Sequence, residues 1–352
     1  MPASCPQILV VRRRYLGDLV LLGPLLRNLR LHWPEARIAV LAEAAHAPVL
    51  ALNPDVDEVL TLPGGPLAWG RLLRRLRGAG FTHVFDLDNT EKTAVLARWT
   101  GAGFRAALRH ELPLRLPRFY THLVLDPPAD HERRSIDEYY LQVLSAAGVP
   151  VISRAVRLAP RAADLAATRR HVPALGPRLL VHPGTRSPCR LWPPERFAAV
   201  CERARGELGI RIVLTGGPGE QELVAGIQRR APGAAAVVVP PLAVPLFAAL
   251  AAQFDALLCH DSGPMHIAAA VGTPVVALFG AQNLALWRPA GDRHRLLQPP
   301  LPCRDCVAPG ECVPADSYRS YCVRRLAVDE VYAAIRDLLT GPGSNPPWSS
   351  PS

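Results

Sequence analysis

Lysine is nearly missing from this chain. Lys92 is the one lysine among 40 basic residues, so the formal charge of +10 rests on arginine. Such a skew reflects genome composition as much as chemistry, yet a net positive surface still favours anionic partners: nucleotide phosphates, acidic lipid headgroups or nucleic acid. Aromatic residues are sparse, at 6%, and the arginines read as scattered rather than striped. That excludes an aromatic-rich nucleic-acid module and leaves an acidic substrate or a membrane surface. No apolar run reaches the ~18 residues of a spanning helix. No secretory leader is expected either: MPASCPQILVVRRRYLGD puts its apolar run before its arginines and has no small-residue cleavage pattern. The expectation is a soluble, cytoplasmic protein.

What is present is a globular composition, 49% hydrophobic and 20% charged. A chain of 352 residues fits two domains of roughly 150 residues each. The first half alternates short Val/Ile/Leu runs with amphipathic stretches. QILVVRR, ARIAVLAE, VDEVLTLP, THVFDLDNT and RAALRH read as strands; LLGPLLRNLRLHW, HAPVLALNP, LAWGRLLRRLRGAG and EKTAVLARWTGA read as helices. Unbroken apolar strands with helices between them indicate a parallel sheet covered on both faces. The alternation breaks at LPLRLPRFYTHLVLDPPADHERRS, a helix SIDEYYLQVLSAAGVP follows, and RAVRLAPRAADLAATRRHVPALGP reads as a linker. It then restarts with RLLVH, IRIVLT, AAAVVV, DALLCH and TPVVALFG as strands. The result is α/β, two doubly wound Rossmann-like domains over 1–160 and 161–340, with a Pro/Ser-rich disordered tail over 341–352. Ligands bind outside the carboxyl ends of such strands, so a cleft between the two domains is expected.

Each distinctive stretch falls at one of those strand ends. HDSGPMH sets Asp261, Ser262 and Gly263 between a strand and a helix beginning near Pro264, with His266 inside it. Unpaired amides and a positive dipole end make that turn an anion site, while Asp261 or Ser262 equally suits a plain helix cap. HPGTRSPCRLWPPERF offers Gly184 for close backbone approach, the Thr185 hydroxyl, and Arg186 and Arg190 as phosphate forks; the plain alternative is a solvated loop. LTGGPGEQE adds a glycine turn with Glu220 and Glu222. Those carboxylates serve either the helix dipole or ribose hydroxyls. RRRYLGD places Asp18 where the first strand gives way to a helix, as a cap or as a base.

Taken in order, ILVVRRRYLGDLVLLGPLLRNLR, FDLDNTEKTAVLARWTGA, HPGTRSPCRLWPPERFAAV, VLTGGPGEQELVAGI and HDSGPMHIAAAVGTPVVALFGAQNLALWRP resemble the ADP-heptose:lipopolysaccharide heptosyltransferases, glycosyltransferase family 9. The resemblance runs from residue 8 to about 335 and implies a GT-B fold whose domains face a central cleft. The last stretch is close to the family's Asp-Thr-Gly-x-x-His turn, with Ser262 in place of threonine. It implies inverting, metal-independent transfer of a heptose from an ADP-sugar, with no cofactor, to the lipopolysaccharide core or a lipid-linked acceptor. By resemblance, Asp18 is the general base, Arg190 the basic phosphate ligand, Asp261, Ser262 and Gly263 the diphosphate turn, and Glu222 or Glu220 the ribose carboxylate. Arg14 and Lys92 are expected on the acceptor side. RRRY replaces the small polar residues usual before LGD, which is a departure. The location implied is the inner face of the inner membrane, peripherally, as a monomer, without nucleic acid.

The chain has eight cysteines. Cys303, Cys306, Cys312 and Cys322 fall late, and the Cys-x2-Cys spacing allows a structural zinc or simply reduced thiols. The other four are expected as small buried apolar residues.

Overall fold

The computed structural model describes residues 5–109, 113, 115–301, 312–313 and 319–340. The chain divides into two compact units, Met1–Ala159 and Pro160–Ser352. The first holds strands β1 Gln7–Val11, β2 Arg37–Glu43, β3 Glu58–Leu62, β4 His83–Asp86, β5 Phe104–Arg109 and β6 His122–Leu125. They form one parallel sheet in the order β3-β2-β1-β4-β5-β6. The second holds β7 Arg178–His182, β8 Arg211–Thr215, β9 Ala235–Val239, β10 Ala256–His260, β11 Val275–Leu278 and β12 Arg295–Leu297. Its order, β12-β11-β10-β7-β8-β9, repeats the first when counted from its own first strand. Strand progression reverses once per sheet, between β1 and β4 and between β7 and β10. At those points the following loops leave toward opposite faces and open a crevice.

The central strands are apolar on both faces because helices cover both. Ile8, Leu9, Val10 and Val11 of β1 are fully buried, as a parallel core strand requires. Pro24 falls in the first turn of the helix Gly23–His32, where a missing N–H costs nothing. The helix Pro194–Leu208 ends at Gly209, whose φ of +65 suits glycine.

Four segments differ from the sequence reading. HLVL forms the edge strand β6; its mostly exposed side chains carry no inward alternation to announce it. HAPVLALNP forms a 3-10 turn, Ala47–Leu52, rather than an α-helix. A helix Val328–Thr340 packs on Pro194–Leu208 and closes the second core with Val331 and Ile335. The linker-like stretch is ordered at both ends. Its second part forms the helix Ala162–Thr168, held by Gln253 Nε2 to Leu165 O (3.2 Å) and Thr168 Oγ1 (2.8 Å). Its first part is tied to the first unit where Ala159 N donates to Leu52 O (2.8 Å), and the two residues just before it are strapped there by Asn28, which is fully buried. The Asn28 amide donates to Pro24 O (2.8 Å) and Ser153 O (2.7 Å), and its oxygen accepts from the amides of Ile152 (2.6 Å) and Ser153 (2.9 Å). Residues 341–352, read as a tail, lie outside the described residues.

All of Asn28's hydrogen-bonding capacity is used, so Asn28→Ala strands several buried backbone groups at once. Each such group costs about 1–3 kcal/mol, and the total loss is expected near 2–4 kcal/mol after relaxation. A urea melt of the variant checks this; a midpoint matching wild type would show that the strap contributes nothing.

Candidate active site

In the first unit the crevice is built from the ends of β1 and β4. After Val11 the chain turns through Arg12–Tyr15 into the short helix Leu16–Val20. Asp18 is not the cap of that helix: the cap position is Tyr15, and Asp18 reaches back to accept its amide at 3.1 Å. The reason is a stronger pull from inside. Tyr140 Oη donates to Asp18 Oδ1 at 2.8 Å, and the Arg12 guanidinium binds the same oxygen. Asp18 is 2% exposed.

Arg12 also donates to Asp88 Oδ1 at 2.9 Å, beyond the end of β4, so it ties the two strand ends together. Burial opposes its charge, but the Asp18 and Asp88 carboxylates outweigh that and hold the guanidinium above its usual value. Burial likewise holds the Tyr140 phenol well above its ordinary range, so it acts as a donor. Asp88 takes two further bonds from Arg13, from the amide (3.0 Å) and from Nε (2.8 Å). Arg14 pairs with Glu43 at 2.6 Å and is half exposed. Two of the three arginines that depart from the family pattern therefore brace the loop itself. Beneath them, the fully buried Asp86 accepts from Tyr120 Oη (2.6 Å) and from the amides of Asp88 (3.0 Å) and Asn89 (3.0 Å). Burial pushes its carboxyl up to about 6, with the Tyr120 bond pulling the other way. Lys92 makes no hydrogen bond or ion pair with this network among the described residues; its ammonium sits 5.2 Å over the Trp69 ring.

In the second unit the crevice is built from the ends of β7, β8 and β10. Glu220 folds its carboxylate onto the glycine turns: it accepts the Gly217 amide at 2.7 Å and lies 3.8 Å from His182 Nε2. A Cβ on Gly184 would fall 1.8 Å from Glu220 Oε2, so glycine is needed there for close approach. Glu222, two residues on, is 82% exposed and pairs with Arg229 on the outside of its helix. Arg190 is buried and donates to Asp261 O (2.7 Å) and Oδ2 (2.5 Å). Burial pushes the Asp261 carboxyl up to about 6, and Arg190 opposes it. Trp192 N donates to His260 Nε2 at 2.9 Å; burial, then Arg190 and His182, lower that imidazole to about 3 and keep it neutral.

The helix Gly263–Ala270 begins at this rim with Ser262 as its cap residue, but Ser262 Oγ donates back to His260 O (3.1 Å) rather than accepting from the helix. Among the described residues the amides of Ser262 and Gly263 have no acceptor, and Pro264 carries no N–H, so those two amides are open to an outside acceptor. Thr185 is half-buried, Arg186 exposed and His266 buried. The structure thus gathers Gly184, Glu220, Arg190, Asp261, Ser262 and Gly263 at one strand-end rim and leaves Glu222 off it.

Sequence reading missed Arg12, Asp88 and Tyr140 in the first unit, and His182 and His260 in the second. Asp88 had a signal: FDLDN ends its strand as RRRYLGD ends β1, on the other side of the same crevice. Tyr140 had none. Of the four dispersed cysteines, Cys201 and Cys259 are buried as expected; Cys5 is exposed and Cys189 half-buried, since one precedes β1 and the other lies in the loop after β7. Burial pushes the Cys201 thiol up to about 12, which keeps it inert. Among the described residues no three His, Cys, Asp or Glu side chains are grouped to hold a metal. Cys303 and Cys306, on which the zinc expectation rests, lie outside the described residues.

Solved structures share this architecture. A family 9 glycosyltransferase from Veillonella parvula superposes with a TM-score of 0.80 at 23% identity, covering 96% of this chain and 98% of that one. The Escherichia coli heptosyltransferase WaaC with ADP gives 0.74 at 18% identity, covering 94% and 99%. The fold is GT-B, and the class is glycosyltransferase. Residues 69–313 match the model of glycosyltransferase family 9 (heptosyltransferase), and the chain belongs to that family. Among its named relatives, lipopolysaccharide heptosyltransferase 3 of Escherichia coli is 27% identical over 292 residues, 78% of this chain and 84% of that protein. Lipopolysaccharide heptosyltransferase 1 of Pseudomonas aeruginosa is 25% identical over 325 residues, 86% of each.

Asp86 gives a pH signature. Its unfolded carboxyl ionises near 3.8 while the folded one holds its proton to about 6, so stability falls as pH rises through that interval. Asparagine can keep the amide and Tyr120 contacts without the buried charge. Asp86→Asn is expected to match wild type near pH 4 and to exceed it by up to roughly 3 kcal/mol at pH 7. Denaturant midpoints across that range check it, and a constant gap would refute the assignment.

Proposed function

We propose that this enzyme transfers a heptose from ADP-heptose to the inner core of lipopolysaccharide, inverting the anomeric carbon. The observation that supports this reading most is the second unit's rim. A buried arginine and two open amides at a helix N-terminus form a built site for a diphosphate. The names of the relatives and the ADP held by WaaC point to the same donor class. Arg190, fixed by Asp261, and the amides of Ser262 and Gly263 take up the charge that develops on the leaving diphosphate. Glu220, packed against Gly184, accepts from the ribose; the outward Glu222 is not assigned this role.

Asp18 is the general base. Its two oxygens offer about four lone-pair sites, and three are taken by Tyr15 N, Tyr140 Oη and Arg12. One remains to receive the proton of the acceptor hydroxyl as the anomeric carbon is attacked from the face opposite the diphosphate. A single carboxylate suffices, unlike the pair used by glycosidases. Tyr140 and Arg12 fix the direction of that lone pair. No helix among the described residues is long and apolar enough to cross a membrane; we place the enzyme peripherally at the cytoplasmic face of the inner membrane, as a monomer.

Asp18→Asn is expected to bind ADP as wild type does and to lose about 10²–10⁴ in turnover, the usual contribution of a positioned base. Calorimetry beside a transfer assay on one preparation reads both; a rate within a few-fold of wild type would rule Asp18 out. Arg190→Ala, combined with Asp261→Asn so that no buried charge is left behind, is expected to weaken ADP binding by about 1.5–3 kcal/mol. Unchanged affinity would remove Arg190 from the donor site. Transfer is expected to survive EDTA, and activity that vanished and returned with magnesium would show that a metal serves the leaving group.

A further inference from the structure

We propose that the helices Pro66–Gly78 and Glu91–Trp99 together form a docking face for an anionic lipid bilayer. They lie side by side on one face of the first sheet, with Leu72, Leu76, Ala94, Leu96 and Ala97 turned into the core. Two contacts fix the pairing: Trp99 Nε1 donates to Leu73 O at 2.8 Å, and the Lys92 ammonium covers the Trp69 ring. The opposite sides of both helices are open to solvent. They bring three large apolar groups to neighbouring exposed positions: Leu67 is 86% exposed, Val95 48% and Trp99 47%.

Between these groups stand Arg71, Arg74 and Arg98, all exposed, and among the described residues no carboxylate pairs with any of them. The first helix has no acidic residue and the second has only Glu91. The 3-10 turn Pro117–Phe119 packs alongside and adds Arg118, stacked on Phe119. Arg98 also lies near Arg105, which is held below its usual value by burial and then by Arg98. Arginines that read as scattered in sequence therefore converge on one face when two separate helices pack. Like charges left unpaired repel one another until a negative surface arrives.

The apolar groups choose the kind of surface. Leu67 and Val95 offer nothing to a phosphate or a stacked base, but they suit the boundary between headgroups and acyl chains. Trp99 has its N–H already satisfied by Leu73 O, so its exposed ring can enter the headgroup region without stranding a donor. Basic residues around them meet the charge of acidic headgroups. This deepens the peripheral association proposed above and names the face responsible.

The test uses the full chain and flotation with vesicles of phosphatidylcholine, with and without phosphatidylglycerol. Binding is expected only with the anionic lipid and is expected to weaken with salt. Arg71→Ser with Arg74→Ser should lower partitioning about 25-fold, roughly fivefold per charge. Leu67→Ser with Val95→Ser should remove the part that resists salt. Arg169→Ser with Arg170→Ser, an equal charge change at exposed positions of the second unit, should do neither. Wild-type protein that ignores anionic vesicles would sink membrane association itself. Wild-type binding that survives both substitutions on the face, or falls equally in the control, would leave association standing and overturn this face. Loss of duplex DNA binding in the arginine pair with vesicle binding intact would assign the face to nucleic acid instead.

Discussion

The reversal of strand progression at the middle of each sheet is the constraint on which the molecule depends. A parallel sheet covered on both faces must send helices to both sides, and the loops part where the direction changes. That parting is the one place on the strand ends where polar groups can gather without breaking a core. Asp18 and Asp88 flank it in the first unit; Arg190 and Asp261 flank it in the second, with Glu220 reaching in from beyond the end of β8. The repeated strand order explains why one chain carries two such rims.

Each rim solves the same electrostatic difficulty in the same way. A carboxylate placed at a nearly dry strand end is costly unless a guanidinium accompanies it. Arg12 does this for Asp18 and Asp88, and Arg190 does it for Asp261. Buried pairs of this kind add little net stability, because desolvation consumes most of their attraction. Their value lies in direction: a carboxylate clamped by fixed donors cannot rotate, and a guanidinium clamped by a carboxylate cannot swing away. Asp86 and the neutral His260 show the complementary outcome: hydrogen bonds hold them, no ion pair does among the described residues, and burial shifts the proton equilibrium.

Much of this was legible in the sequence, and the gaps have physical causes. Central strands announce themselves because burial on both faces demands unbroken Val, Ile and Leu. Pairs such as Gly17 with Asp18, or Ser262 with Gly263, announce the helix starts that follow strand ends because few residue types suit them. The edge strand β6 is silent, since an edge half open to solvent imposes no alternation. The choice between Glu220 and Glu222 hinges on where a helix begins, and a shift of two residues turns a side chain to the opposite side. Tyr140 was out of reach: its bond to Asp18 spans 122 residues of chain, and nothing local marks a tyrosine as a long-range donor. The basic face was hidden for a related reason, being a property of two helices at once.

Lys92 lends the molecule an unusual chemical simplicity. Apart from the α-amino group, its ε-amine is the one primary amine in the chain, and it lies exposed on the helix pair over Trp69. An acylating reagent run at mildly alkaline pH therefore labels one side-chain position without any engineered cysteine. With the α-amino group blocked, a fluorophore, spin label or crosslinker attached there reports on that face of the first unit, and a lysine-specific protease has a single side chain at which to cut.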